Sequence, residues 1–229
     1  MAARNRVTPL GEIEAIALRG AWTGNRGILH EGREIVRFHA GDLWITCALE
    51  FRGRWHEQWR PHHYTFLFFH DEAVSFAAGH RPCAECRRPS YQTYRSAWLK
   101  GLGVEAPSAK TMNRQLHAER IFRGTHRRRI HQVPWAHLPD GTFVLLDEIP
   151  AVVVGQHVTE WTHGGYGRRQ PRPIRGEADA ITPSCDGRGT SRSLSGADRR
   201  FCALAFDLIR LVSETVALKR GVRSLDGMS

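Results

Sequence analysis

A Cys-x-x-Cys pair in the middle of the chain, Cys83-Ala84-Glu85-Cys86, is the feature that most constrains the fold. Two cysteines at this spacing can both reach one tetrahedral metal ion with thiolate bonds of about 2.3 Å. The pair provides only half of such a site, so further ligands must come from elsewhere in the chain. The flanking sequence lacks the strand-to-helix context of a thioredoxin motif, which argues against a redox pair. We therefore expect Zn²⁺, in a structural or a catalytic role.

The residues before this pair predict a short helix that ends where the pair begins. Asp71 is placed at the N-cap, and Gly79 is placed where a helix commonly stops. Between them, Val74, Phe76 and Ala77 are the apolar residues that would face inward. The metal-binding turn would therefore follow directly from a helix stop.

The run from Phe68 to Cys86, FFHDEAVSFAAGHRPCAEC, resembles the second half of the Ada-type metal-binding domain of DNA repair. In that family a helix ending in Ala-Gly and an aromatic-Arg-Pro-Cys-x-x-Cys turn provide two of four zinc thiolates. The resemblance is confined to residues 68–86, and His80 stands where the family usually has an aromatic residue. It implies a zinc site built on Cys83 and Cys86 in a protein that acts on DNA.

The chain departs from that family upstream of the run. The family's first ligand pair is a Cys-x-x-x-Cys, whereas this chain has only Cys47 there, with His56 at about the spacing of the missing cysteine. An upstream cysteine of the family also accepts a methyl group from a DNA phosphate, a role that the missing pair puts in doubt for Cys47. Cys47 is our choice for the third ligand, although a cysteine in an apolar strand can also be only a small buried side chain. His56, His80 and His117 stay open as the fourth.

A zinc nucleobase deaminase is an alternative explanation of the same cysteines. Such enzymes join a His-x-Glu to a Pro-Cys-x-x-Cys, and the glutamate moves protons to and from the metal-bound water. This chain has both motifs in reversed order, since His117-Ala118-Glu119 follows the cysteines. Cys83, Cys86 and His117 would then bind zinc, and Glu119 would be the general acid and base. Otherwise His117 and Glu119 lie on a solvated helix face.

A DNA glycosylase is the other enzymatic alternative. It would need a carboxylate to stabilise an oxocarbenium ion or to activate water, together with a pocket for a flipped base. Asp71 and Glu119 are the candidate catalytic carboxylates, although Asp71 is explained more simply as a helix cap.

The net charge of +10 and the isoelectric point near 10.1 indicate a polyanionic partner. Only three of the 33 basic residues are lysines, and guanidinium groups suit bidentate contacts with phosphates and guanine edges. A codon bias toward arginine would also explain the ratio, though not the charge. The densest basic run is RGTHRRRIH, from which we predict nucleic-acid contacts by Arg123, Arg127, Arg128 and Arg129.

Cysteine usage and hydropathy bear on the compartment. Five cysteines are an odd number in a chain too long to need a disulfide scaffold, and the first residues lack the apolar core of a signal peptide. No apolar run approaches the roughly 20 residues of a membrane helix. We expect a reducing cytoplasm, with Cys185 a loop thiol and Cys202 a buried helix residue.

The remaining pattern predicts an α+β protein that forms a single compact domain over residues 1–229. Strand-rich N- and C-terminal parts would surround a central helical zinc-binding and basic segment at 44–135. Two or three strands are expected between residues 12 and 50, and two further helices at Tyr91 to Lys100 and Ser108 to Phe122. The later parts are a β-meander at 138–162, Gly/Pro/Arg-rich loops at 164–199 and an amphipathic C-terminal helix at 200–219.

Taken together, these features predict a zinc-containing DNA-binding protein that recognises or processes damaged or modified DNA, of a repair or a restriction and defence type. A base-processing hydrolase of the deaminase or glycosylase kind is the first alternative. A non-enzymatic zinc-knuckle regulator with a protein partner is the second. The charge argues against the regulator and does not separate the other two.

Overall fold

The computed structural model describes residues 2–54, 57–102 and 107–183. His56, Cys185, Cys202 and the predicted helix at 200–219 lie outside these ranges, as does the later part of the segment at 164–199. Within them, no helix is both long enough and apolar enough to cross a membrane. The described chain is strand-rich with helices inserted in its middle, as the α+β prediction expects.

The N-terminal half forms a sheet of short strands. In chain order they are β1 (Arg6–Val7), β2 (Ile13–Glu14), β3 (Trp22–Asn25), β4 (His30–Glu31), β5 (Glu34–Ile35), β6 (Ile45–Cys47), β7 (Leu67–Phe69) and β8 (Arg81–Pro82). Six of them pair in the order β2-β1-β7-β3-β6-β8, while β4 pairs with β5. The pairs β1–β7 and β6–β8 are parallel. Residues 12–50 thus contain five short strands rather than two or three, because Trp22–Asn25 and His30–Glu31 pair although neither is an apolar run.

Three helices follow β7 in the chain, namely α1 (Glu72–Ala77), which precedes β8, and then α2 (Arg88–Leu102) and α3 (Ala109–Arg120), which precede the second sheet. The predicted caps of α1 are confirmed, since Oδ1 of Asp71 accepts from the backbone N–H of Val74 at 2.9 Å and Gly79 has a φ of +84°. Helix α2 begins before the predicted Tyr91, because Pro89 is tolerated in a first helical turn. The aromatic stripe of α2 packs on α3, as expected for core residues, and the cluster contains Tyr91, Tyr94, Ala97, Trp98, Met112 and Leu116.

The second sheet is antiparallel throughout. Its strands are β9 (His131–Pro134), β10 (Phe143–Leu146), β11 (Ile149–Val154), β12 (His157–Thr162), β13 (Gly165–Pro171) and β14 (Glu177–Ala180), in the order β13-β12-β11-β10-β14-β9. The predicted meander is confirmed as β10 to β12. The loop prediction was wrong for β13 and β14. Strand β13 lies at the sheet edge with mostly exposed side chains, so it pairs through its backbone without an apolar pattern.

A hydrophobic core connects the two sheets. Val7 and Phe69 of the first sheet and Phe143 and Val152 of the second belong to one buried cluster, together with Val74 of α1. Each of these five side chains is almost completely buried. Helix α1, and with it the start of the metal-binding turn, is therefore anchored in the main core.

A partly buried hydrogen bond joins the start of α1 to the second sheet. The Tyr166 hydroxyl donates to Oδ2 of Asp71 at 2.7 Å. Burial raises the pKa of Tyr166 well above its ordinary value, and the neighbouring Asp71 raises it further. Asp71 therefore holds the helix and the sheet at once, which explains its presence without a catalytic role.

We predict that Tyr166→Phe lowers the free energy of unfolding by about 1.5–3 kcal/mol, because it removes a partly buried hydrogen bond to a carboxylate. The measurement is urea denaturation near neutral pH. Tyr91→Phe is the matched control, since the buried Tyr91 makes no side-chain hydrogen bond within the described residues. Equal losses in the two variants would contradict the role given to Asp71.

Candidate metal centre

Three cysteines converge at one end of the first sheet. The Sγ atoms of Cys47, Cys83 and Cys86 all lie within 4.8 Å of one another, and the three residues are half-buried. Bonds of about 2.3 Å at tetrahedral angles separate two thiolates by about 3.8 Å. Small side-chain movements would therefore bring all three onto one ion, and the cluster can hold a metal.

Parallel pairing of β6 with β8 produces this convergence. Ile45 is in register with Arg81 and Thr46 with Pro82, so Cys47 and Cys83 follow at the same end of the two strands. The backbone N–H of Cys83 donates to the Thr46 carbonyl at 2.9 Å and extends the pairing by one step. Residues 36 positions apart in sequence are thus placed side by side, and the turn before α2 adds Cys86.

Backbone donors point at two of the sulfurs. The N–H of Ala48 donates to Sγ of Cys86 at 3.4 Å, and the N–H of Glu85 donates to Sγ of Cys83 at 3.5 Å. Such bonds favour the thiolate form that binds metal. The hydrogen bond with Cys47, helped by backbone N–H groups, lowers the pKa of Cys83 to about 5. The same bond and burial raise the pKa of Cys47, and burial raises that of Cys86.

The fourth ligand is not among the groups around the three sulfurs. Within residues 2–54, 57–102 and 107–183, no histidine, carboxylate or further cysteine joins the cluster. Of the three candidates, His80 is buried elsewhere: its Nε2 accepts from Nε of Arg26 at 3.2 Å, and its ring packs 4.6 Å from that of Phe69. His56 lies outside the described residues and stays a prediction.

His117 and Glu119 take up places away from the cysteines. The His117 ring lies 5.0 Å from the His39 ring, and its Nδ1 is 3.0 Å from a guanidinium nitrogen of Arg120. Glu119 is only 3% exposed, and its Oε1 accepts from Nε2 of Gln115 at 3.1 Å. The structure thus does not assemble the deaminase set of His117 with two cysteines. The alternative of a solvated helix face was also wrong for Glu119, because that side chain is buried.

Of the four predicted phosphate-binding arginines, three lie at or near the surface and one points into the protein. Arg123 and Arg127 are exposed, and half-buried Arg129 lies with its Cζ 4.3 Å from the centre of the Phe122 ring. Arg128 points inward, where its Nη2 donates to the carbonyls of Ala77 and Ile181. Burial lowers the pKa of Arg128 to about 9. This placement does not fit the surface phosphate contact predicted for Arg128, because its Nη2 is committed to two backbone carbonyls inside the protein.

A segment that the sequence reasoning passed over lies beside the metal centre. We call residues 49–64 the metal-flanking segment, of which 55 and 56 are outside the described residues. The Cζ atoms of Arg52 and Arg54 lie 5.0 and 5.6 Å from the centre of the Phe51 ring, and Arg54 pairs with Glu85 of the metal turn at 2.8 Å. The sequence FRGRWHEQWRPHHY alternates arginine, histidine and aromatic residues, a composition that could have indicated a nucleic-acid-binding segment.

Comparisons with protein-family models, with curated proteins and with solved structures found no match to this chain. The similarity to the Ada-type domain therefore stays a resemblance between short segments.

We predict that purified protein contains about one metal ion per chain, since three thiols form one site. Cys47→Ser, Cys83→Ser and Cys86→Ser should each lose most of this metal in elemental analysis. His117→Ala and His80→Ala should keep it, because neither ring joins the sulfurs. Metal lost with His117→Ala but kept with Cys47→Ser would contradict the site described.

We also predict that His117 makes the protein more sensitive to acid. Burial, with the nearby charge of Arg120 and His39, lowers the pKa of His117 from 6.5 to about 4. The unfolded chain then binds a proton that the folded chain does not, so stability present above pH 6.5 is lost as the pH falls toward 4. Urea unfolding at about pH 7.5 and about pH 5 should show a smaller acid-induced loss for His117→Gln than for wild type. His137→Gln, at an exposed histidine, is the control. If His117→Gln loses as much unfolding free energy on acidification as wild type does, the effect of His117 is excluded.

Proposed function

We propose that this chain is a zinc-stapled nucleic-acid-binding protein, with DNA the favoured partner, and that it recognises damaged or modified DNA. The observation that carries the proposal is the convergence of Cys47, Cys83 and Cys86 next to an arginine- and aromatic-rich segment. The Arg54–Glu85 ion pair ties that segment to the metal turn. A metal that fixes the turn would in this way also position a basic surface.

Zinc is the metal that the donor set favours. Three thiolates form a soft ligand set, which suits Zn²⁺ and disfavours Mg²⁺, Ca²⁺ and Mn²⁺. Cys-x-x-Cys turns with backbone donors to sulfur are suited to tetrahedral sites. His56, within the metal-flanking segment, is our proposed fourth ligand, and it would close the site as structural zinc sites are closed.

Nucleic acid is favoured over a protein partner because of the kind of surface near the metal. Arg52 and Arg54 are exposed and lie close to the half-buried ring of Phe51. Guanidinium groups bind phosphates, and an aromatic ring among them can stack on an unpaired or extruded base. A protein that reads lesions needs such a combination, because damaged bases leave the stack more easily than intact ones.

Recognition is favoured over base chemistry because of where the carboxylates lie. Asp71 is fixed by the cap of α1 and by Tyr166, and buried Glu119 is bonded to Gln115. Within the described ranges no acidic group joins the three cysteines. A deaminase or glycosylase would require such a group at the reacting centre.

We predict that the protein binds short DNA with a strong salt dependence, measured by fluorescence anisotropy at several salt concentrations. Removing two phosphate contacts should lower the slope of log K against log salt by about 2, since each contact contributes about 0.9. Arg52→Ala/Arg54→Ala and Arg123→Ala/Arg127→Ala are the two test variants. Arg168→Ala/Arg169→Ala removes the same charge from exposed positions of β13 and is the control.

An unchanged slope in either test variant would remove that pair of arginines from the interface, and absence of DNA binding at low salt would overturn the proposal. Duplexes with one abasic site, one uracil or one methyl phosphotriester extend the titration to damaged DNA. Tighter binding to one of them, with the strand intact by mass spectrometry, supports recognition. Release of a base or of ammonia would instead identify a base-processing enzyme.

A further inference from the structure

Three arginine side chains lie together between the end of α1 and the loop before β6. Arg26 and Arg120 are 0% exposed, and the side chain of Arg128 is turned inward beside them. In the described part of the chain, no carboxylate oxygen lies within 4 Å of their nitrogens. Glu12 and Asp42 act on them only from a longer distance. The cluster thus brings positive charge into the protein without a paired negative charge.

Two of the three arginines have a structural explanation. Nη1 of Arg120 donates to the Gly79 carbonyl at 2.7 Å, and Arg128 donates to the Ala77 carbonyl. These acceptors lie at the end of α1, where helix carbonyls lack partners within the helix. Gly79 allows the close approach, because a Cβ there would lie 2.7 Å from Cδ of Arg120. Arg120 and Arg128 therefore fix the helix end, although Nε of each has no hydrogen-bond partner within the described residues.

Arg26 has no such explanation. Its Nε donates to His80, while Nη1 and Nη2 are both buried and make no hydrogen bond to any described residue. The aromatic contacts do not replace those bonds, although its Cζ lies 4.0 Å from the centre of the Trp44 ring and 4.7 Å from that of Phe38. Burial and the charge of Arg128 lower the pKa of Arg26 well below its usual range. A buried guanidinium with two unused donors is expensive to maintain in the absence of an anion.

We propose that this cluster is an anion site for a phosphate-class oxyanion, with Nη1 and Nη2 of Arg26 as the paired donors and with Arg120 and Arg128 supplying the surrounding charge. The planar guanidinium fork matches two oxygens of a phosphate group. Three cations suit a ligand that carries up to two negative charges, which favours phosphate over a carboxylate. The site contains none of the three cysteines and does not depend on the proposed DNA binding.

An anion would have to reach Arg26 from the side on which the surrounding aromatic rings are only half-buried. Phe38, His39 and His117 are half-buried, and the neighbouring residues Ala40 and Gly41 are exposed. The His39 and His117 rings lie 5.0 Å apart and the His39 and Trp44 rings 5.6 Å apart. Entry past this aromatic rim would place a phosphate in a site poorly accessible to water, where a charge-assisted hydrogen bond is strong.

The test is thermal unfolding of the full chain in millimolar inorganic phosphate, against chloride at equal ionic strength. Wild type should gain several degrees in Tm as phosphate rises, because ligand binds the folded state alone. Arg26→Met should keep or raise the Tm without phosphate, since it removes an uncompensated charge, and should lose the phosphate response. Arg26→Lys keeps the charge but lacks the fork, and its apparent affinity should fall about tenfold.

Arg87→Met is the matched control for loss of a buried arginine. Arg87 is paired with Glu72, so its replacement should lower the Tm and leave the response to phosphate intact. No phosphate-specific gain in wild type, or a full gain in the Arg26 variants, would overturn the proposal. Titration of wild type by ³¹P NMR gives the same answer without depending on how any variant folds.

The source of the phosphate is distinguished with three further probes. Protection by adenosine 5′-monophosphate but not by adenosine supports recognition of the phosphate group, whereas equal protection by adenosine would overturn it. A short oligonucleotide that displaces bound phosphate identifies the nucleic-acid backbone as the source, and one that leaves it bound identifies a free phosphate compound. The two proposals can be tested separately. The protein can bind phosphate at Arg26 without binding DNA at the metal-flanking segment, and it can bind DNA there without binding phosphate.

Discussion

The metal centre depends on the parallel pairing of two very short strands, β6 and β8. Only Ile45 with Arg81 and Thr46 with Pro82 are in register, and the bond from Cys83 to Thr46 completes the pairing. Strands of this length have little stability of their own. The residue before β6 holds the two strands together, because the carbonyl of fully buried Trp44 accepts from the N–H of Arg81 at 3.3 Å. The positions of the three sulfur atoms therefore depend on the packing around Trp44.

The arginines show why net charge is an incomplete guide to a protein surface. Arg26, Arg81, Arg87 and Arg120 are buried, and the half-buried Arg128 turns its guanidinium inward. Arg87 is compensated by Glu72, and Arg81 donates to Oδ1 of Asn113 at 2.7 Å. Part of the excess of positive charge is thus inside the protein, where it stabilises helix ends or offers donors to a bound anion. A nucleic acid would meet only exposed arginines such as Arg52 and Arg123, and not the whole net charge of +10.

Local signals in the sequence were sufficient for several elements. Asp71 and Gly79 delimited α1, the spacing of Tyr91, Tyr94 and Trp98 gave the packed face of α2, and short valine-rich runs gave the meander. Each of these signals lies within a few residues of the element that it predicts. The edge strand β13 was not predicted, because its exposed Gly and Arg residues have the composition of a loop and the strand is defined only by pairing with its neighbour. The inward orientation of the Arg128 side chain was not predicted either, since only the tertiary fold brings the Ala77 carbonyl close to Arg128.

The cysteine site lies between these two cases. Cys83 and Cys86 follow from their spacing alone, whereas Cys47 was chosen as the only cysteine upstream of the run that resembles the Ada-type domain. Long-range strand pairing brings Cys47 to the other two. None of the three belongs to the core between the two sheets, which is built from β1, β7, α1 and the meander. A metal at this site would therefore stabilise the β6–β8 end and the start of α2 locally, while the main core would stay folded after its removal. Such a local staple can hold the metal-flanking segment in place for a partner without carrying the stability of the whole fold.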